Sequence, residues 1–511
     1  MRETEKRSPE RKRMLTCFLS TLFFLLAAHG YRFLNAAFSG DGTLIFQAGE
    51  EIPYQISLGR FLQPVWWQIR GAIVAPWLIG LFCLLFLTLS GILVTRMLRI
   101  RRTLPVILTC GILTANETLA IANATYIPWS DVYTVALFFA LLSAEISLSD
   151  SKVRWLAPIP LLISLGLYQS YIAASASIIL LALLCRILSE PQSAKAVWTR
   201  GIGCIIRLFI GLLLYALILK AILAFGSISA SEDYNGVGRV SLVSLPELIT
   251  LVRDAWLLPV RMLLIPGDQT LLSWHMSLIP QGINWLTVLL ILLQAALFFR
   301  HTPASALTSV FLLGIFPFAV NFVMVIAKGT VNGLMMYAWS FLYLIPVMLA
   351  DNVEKPAPRL LPRAAFAVTA VLLFFNIRSG NQLTFKRDLE LSATQSAFTR
   401  ILDRAEQTEG YVPGKTPVVL IGMLPSSSLS MVRPGMAELS RPQGMKYTYS
   451  AAYETSQYWY LTEILGENLN LVSHEERIRL TKETPDAASL PRFPQEGCAA
   501  MIDGFLFIRV S

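Results

Sequence analysis

About eleven runs of apolar residues punctuate the chain, near 14–33, 72–95, 104–122, 131–147, 155–169, 172–188, 203–225, 284–299, 305–327, 334–350 and 364–377. A helix needs roughly 20 such residues to cross a bilayer, and although the fifth and sixth runs are short, no water-soluble core accommodates so many. The chain therefore reads as an α-helical polytopic membrane protein, because in hydrocarbon only a helix or a closed barrel satisfies its own backbone. Composition agrees, with 55% hydrophobic residues and only 15% charged ones over 511 residues.

Orientation comes from the loops. Arg96, Arg99, Arg101 and Arg102 follow the second run, Lys152 and Arg154 the fourth, Lys195 and Arg200 the sixth, and Lys355, Arg359 and Arg363 the tenth. A single assignment puts all of them on the cytoplasmic side of a bacterial inner membrane, with the N-terminus inside and the C-terminal segment in the periplasm. The basic stretch Arg2 to Arg13 before the first run resembles a signal peptide. That run is long enough to span, lacks a small-residue cleavage site and is followed by further spans, so it is an anchored helix. The formal net charge of +9 belongs to these flanking tracts, which favours membrane lipids as partners and excludes nucleic acid. Six cysteines without paired spacing exclude a disulfide framework and a zinc site. His29, His275, His301 and His474 are scattered, and there is no P-loop, dinucleotide motif, metal-ligand array or Ser/His/Asp arrangement.

Two domains are expected, a transmembrane domain over 1–377 and a periplasmic α/β module over 378–511. Outer loops near 34–71 and 226–283 hold much of the remaining polar chemistry. Within the second, Leu245 to Pro266 mixes leucines with Arg253, Asp254, Trp256 and Arg261, as a helix lying along the headgroups does. The tail shows helical periodicity around Lys386 to Gln407, a buried-strand run at Pro417 to Gly422 and a hairpin-like end at Asp503-Gly504.

The first outer loop places Asp41 in a Ser-Gly-Asp-Gly turn, then Glu50, Glu51, Arg60 and Arg70. Such a carboxylate either supports the turn or acts as a general base toward a hydroxyl. Asp131, after Ile127-Pro128-Trp129-Ser130, is expected at the same depth as Asp41, and two carboxylates at one level suggest a site. Glu117 is an intramembrane acid, which either serves function or makes a helix-packing hydrogen bond. Arg60, Arg70, Arg253, Arg261, Lys328 and Arg378 lie on the side that the positive-inside rule disfavours. They either snorkel to headgroups or grip a phosphate bidentately, with Arg60 the first choice because it shares a loop with Asp41. Tyr168, Gln169 and the Trp66-Trp67 pair are candidate sugar contacts, with an aromatic belt as the other reading of the tryptophans.

The stretches SGDGTLIFQ, YQISLGRFLQPVWWQIRGAIVAPWLIG, NETLAIANATYIPWSDVYTVALFFALLS and LYQSYIAASASIILLALL resemble the polytopic O-antigen glucosyltransferases of the serotype-conversion type. The resemblance covers the N-terminal third, and the later spans agree in layout. It implies a GT-C-like bundle, a polyprenyl-phosphate-linked glucose donor and a lipid-linked O-antigen repeat as acceptor at the periplasmic face. A small flippase and a donor-making glucosyltransferase are the implied companions. The acid after the first span is implied as catalytic base, which maps to Asp41 with Asp131 as second acid and Glu50 or Glu51 as competitors. Arg60, Arg70, Arg253 and Arg261 are then expected on the donor phosphate, and Glu117, Tyr168 and Gln169 on substrate. GT-C enzymes differ in metal use, so a divalent metal stays open as a cofactor. A lipid-linked-sugar transporter or flippase and an O-antigen polymerase or ligase share this layout; the first more often has repeats or helices broken at mid-membrane.

Overall fold

The computed structural model describes residues 2–35, 48–189, 194–230, 244–265, 278–301, 303–329, 331–352, 360–422 and 460–510. They form two compact units, one comprising the chain up to Asn35 and Ile52–Gln382, the other drawn mainly from Leu383 onward.

In chain order the helices of the first unit are α1 (Arg2–Leu34), α2 (Ala48–Ser57, whose residues up to Glu51 group with the second unit), α3 (Gln63–Ile69), α4 (Pro76–Met97), α5 (Thr103–Thr114), α6 (Glu117–Thr125), α7 (Ser130–Ser147), α8 (Pro158–Leu167) and α9 (Ile172–Ser189). There follow α10 (Ala194–Gly226), α11 (Leu245–Leu264), α12 (Leu278–His301), α13 (Pro303–Asn321), the short α14 (Val323–Ile326), α15 (Leu344–Asn352) and α16 (Leu360–Glu406), whose residues beyond Gln382 belong to the second unit. Among the described residues, seven helices are long and apolar enough to span alone, or eight if α5 and α6, bent by 41°, count as one.

Eleven runs and seven or eight spans differ because hydropathy counts residues while a helix must also keep its hydrogen bonds. The run near 155–169 yields only the 10-residue α8, started by Pro158 after a 3₁₀ turn. The run near 334–350 is wound as 3₁₀ helix over Gly333–Tyr343 before α15 begins. The run near 305–327 is interrupted between α13 and α14. Conversely, the loop expected over 34–71 carries α2 and α3.

Helices α7 and α9 are central, with 83% and 78% of their spans buried, whereas the span of α10 is 22% buried and exposes Ile202, Ile205, Phe209 and Leu217. Apolar exposure of that kind fits a lipid-facing surface. At the arginine-rich end of the bundle, basic side chains cap helix carbonyls and neutralise acids. Arg207 donates to Ser147 Oγ and Ser147 O, both at 2.9 Å, and Arg102 pairs with Asp351. All six cysteines are free and buried.

The second unit is a small α/β fold. Its strands β1 (Pro417–Ile421), β2 (Asn470–Leu471), β3 (Ala499–Ile502) and β4 (Phe505–Arg509) form one sheet in the order β2-β1-β4-β3. Strand β1 runs parallel to β2 and β4, while β3 and β4 form a hairpin. Asp503 and Gly504 both take positive φ, 49° and 82°, as a tight two-residue turn requires. Phe398 and Ile401 from α16 pack with Val418, Leu420 and Leu506, and helices α17 (His474–Glu483) and α18 (Pro485–Ser489) supply Leu480 and Ala487 against Val419 and Phe507. A strand buried on both faces explains the unbroken apolar run of β1.

Candidate active site in the membrane bundle

The end of the bundle opposite Arg102 and Arg207 holds a buried ion pair. Trp66 and Arg70 are one helical turn apart at the end of α3, so both reach Asp131 in the first turn of α7. Arg70 Nη1 donates to Asp131 Oδ1 at 2.6 Å and to Pro128 O at 2.8 Å, and Trp66 Nε1 donates to Asp131 Oδ2 at 2.9 Å. The charged side chains are 1% and 0% exposed. Both carboxylate oxygens are thus engaged, while Arg70 Nε and Nη2 are buried with no hydrogen-bond partner among the described residues. Beside the pair, Ser130 Oγ donates to Asn123 Oδ1 at 2.6 Å and Arg32 Nε donates to Asn123 O at 3.0 Å. Arg32 and Arg70 are both buried at this end of the bundle, and Arg70 presents the Nε and Nη2 edge of its guanidinium without a partner among the described residues. In low dielectric such open guanidinium N–H groups favour an incoming anion.

A second cluster joins three residues singled out in the sequence. The Arg60 guanidinium lies 5.0 Å from the centroid of the Tyr168 ring, and its Nη1 donates to Gln55 Oε1 at 3.2 Å. Gln169 Nε2 donates to Leu58 O at 2.7 Å and to Tyr215 Oη at 2.9 Å, and Tyr215 Oη donates to Gly59 O at 3.0 Å. Gln169 therefore braces the turn between α2 and α3. Gly59 has φ +81°, and a Cβ there would lie 2.3 Å from Tyr215 Oη and 2.6 Å from Gln169 Nε2. Substituting Gly59→Ala is expected to spring this brace and cost about 1–3 kcal/mol, read as a lower thermal transition of the detergent-solubilised protein. From Tyr168 an aromatic column continues inward through Tyr171 at 5.9 Å to Tyr337 at a further 5.5 Å.

Deeper in the bundle, α5 stops and α6 restarts inside one apolar run. The break orphans the last three carbonyls of α5 and that of its cap residue Ala115, which hydrocarbon cannot satisfy. Each finds a side chain. Asn116 Nδ2 donates to Ile112 O and Leu113 O at 3.2 and 3.0 Å, Tyr337 Oη also donates to Leu113 O, His29 Nε2 donates to Thr114 O at 3.1 Å, and Asn376 Nδ2 donates to Ala115 O at 2.8 Å. Asn116 also caps the new helix, accepting from Leu119 N at 3.0 Å. Glu117, 6% exposed, stands at the first position of α6, where the helix dipole favours a carboxylate. With Asn116, Trp339, Ser340, Tyr343 and Asn376 it lines a pocket of about 50 Å³. Both Asn-X-Thr sequons are buried at Asn116 and Asn123.

Other candidates stand apart. Arg253 is exposed on α11 and pairs with its neighbour Asp254 at 2.9 Å, and Arg261 is exposed in the last turn of the same helix. Glu50 and Glu51 lie in α2, and Asp41 lies outside the described residues. Among the described residues no three His, Cys, Asp or Glu side chains gather as a metal site. Sequence reasoning missed Arg32, Tyr215, Trp339 and Asn376. The only advance signal was Arg32 at the very end of the first apolar run.

Residues 32–349 match the family model of the glucosyl transferase GtrII. That is more than half of the chain. The chain belongs to the glucosyl transferase GtrII family. It is accordingly a membrane glycosyltransferase that acts on a sugar donor and an acceptor. The matched segment of this GtrII-family enzyme contains the Arg70–Asp131 pair, the Arg60–Tyr168 contact and the break before Glu117, and it ends before the α/β unit. No curated protein and no solved structure matches the chain.

Proposed function

We propose that this enzyme moves glucose from a polyprenyl-phosphate-linked donor to lipid-linked O-antigen repeat units at the periplasmic face of the inner membrane. The observation that carries the proposal is Arg70, buried in the bundle, held by Asp131 and Pro128, with Nε and Nη2 unpartnered among the described residues. A fixed guanidinium with spare N–H groups in a water-poor setting is what a phosphate leaving group requires. Arg60 near the same end supplies further positive charge, and Arg253 and Arg261 on α11 serve the donor phosphate from the lipid side.

The reaction is a single displacement. An acceptor hydroxyl oxygen attacks the anomeric carbon, the bond from that carbon to the phosphate oxygen breaks, and its electron pair leaves with the polyprenyl phosphate. The hydroxyl proton passes to a carboxylate, assigned to Asp41 with Glu50 and Glu51 as the competing acids of the same loop. Asp131 acts as a positioning residue, because its two oxygens hold Arg70 and Trp66. Inversion at the anomeric carbon follows from one displacement.

One observation favours a second reading. The break between α5 and α6 is of the kind found in transporters, which would fit movement of a lipid-linked sugar. Mass spectrometry of lipopolysaccharide from cells with and without the gene separates the two. Transfer predicts one added hexose per repeat, flipping predicts loss of surface antigen, and altered chain length would indicate polymerisation.

A further inference from the structure

The pocket at the α5–α6 break has features that the donor-phosphate site does not explain. It is walled by apolar side chains such as Met262, Met336 and Leu372, yet it carries Glu117 at a helix start. Two polar atoms on other lining residues are buried and unpartnered among the described residues: the indole Nε1–H of Trp339, a residue 5% exposed, and the side-chain Oδ1 of Asn376, whose Nδ2 is committed to Ala115 O at 2.8 Å. A buried donor and a buried acceptor left unmatched each cost stability, so their persistence calls for a ligand that supplies both.

Hydroxyl groups supply both, since each donates one hydrogen bond and accepts others. An apolar wall with an indole suits the C–H face of a pyranose ring. About 50 Å³ admits a hydroxylated edge of such a ring and not the whole sugar. A cation is a poor match, because Trp339 presents an N–H and Glu117 is the one acid in the lining.

We propose that this pocket reads hydroxyl groups of the hexose being transferred, making Trp339, Asn376 and Glu117 specificity-determining residues. The inference rests on the glucosyl-transfer reading above and deepens it. Glu117 and Asn376 Oδ1 accept from sugar hydroxyls, and Trp339 Nε1 donates to one. A site built around such hydrogen bonds rejects an analogue that lacks the hydroxyl, because the protein's own groups are then left unpaired.

The test uses the full chain in proteoliposomes, with short-chain polyprenyl phosphate bearing glucose or a series of monodeoxyglucoses as donors. The readout is the ratio of kcat/KM for glucose over each deoxy sugar, which does not depend on how much protein is folded. Wild type is expected to discriminate against at least one deoxy donor. Trp339→Phe, which keeps an aromatic ring without the N–H, should reduce that ratio about tenfold, and Glu117→Gln should reduce it more because a charged acceptor makes the stronger bond. If both variants keep the wild-type ratio for every deoxy donor while Asp41→Asn still abolishes transfer, the pocket is a packing feature and the inference is overturned, with the transfer reading intact. If wild type transfers no sugar from the lipid-linked donor, both fall together.

Discussion

Arg70→Met is expected to be among the most damaging single substitutions in the helical unit. It removes the one ion-pair partner that Asp131, whose side chain is fully buried, has among the described residues. An uncompensated buried charge costs about 3–5 kcal/mol, so the variant should accumulate poorly or melt well below wild type. Asp131→Asn leaves the mirror defect, a buried guanidinium that keeps neutral acceptors in the amide oxygen and Pro128 O but has lost its counter-charge, and should be of similar severity. The combination Arg70→Met with Asp131→Leu separates folding from function. Replacing both charges by apolar groups of similar size should recover most of the stability. It should not recover transfer, because the spare Nε and Nη2 proposed to hold the leaving phosphate are gone. Removing one such electrostatic donor typically costs roughly 10²–10³ in kcat. A double variant that is stable and fully active would show that Arg70 has only a structural role.

Asp41→Asn carries the second large expectation. The amide keeps the shape of the carboxylate and loses its ability to take a proton, so kcat should fall by roughly 10²–10⁴ with donor KM little changed. Glu50→Gln and Glu51→Gln serve as internal comparisons, since all three acids share the segment between α1 and α3. The proton-acceptor assignment to Asp41 requires its substitution to be the most severe of the three. The measurement is single-turnover transfer in proteoliposomes, with protein quantified in the same samples.

Much of this architecture was legible because hydropathy and charge act locally. The long spans, the basic end and the α/β tail follow from runs of like residues, and the Asp503-Gly504 turn follows from its own dipeptide chemistry. Arg70 and Asp131 were each recognisable as out of place. Their pairing was not, because they are 61 residues apart and nothing in either neighbourhood encodes the other. The break at Ala115-Asn116 was hidden for a different reason. The apolar run near 104–122 is continuous, and the carbonyls that the break frees are satisfied by His29, Tyr337 and Asn376 from three distant segments. An Asn followed by Glu was the only local sign of a new helix start. Loop signals misled over 48–69, where Pro53 and Pro64 fall within short helices; Pro64 occupies the tolerated first turn of α3.

The most direct test of the proposed chemistry is donor choice. Purified enzyme in proteoliposomes with lipid-linked acceptor is offered either radiolabelled polyprenyl-phosphate glucose or radiolabelled nucleotide-linked glucose. Label should reach the acceptor from the polyprenyl-phosphate donor alone, one glucose per repeat, and Asp41→Asn should stop it. Transfer from the nucleotide-linked donor, with none from the lipid-linked one, would contradict the assignment of Arg70 and its neighbours to a polyprenyl-phosphate leaving group.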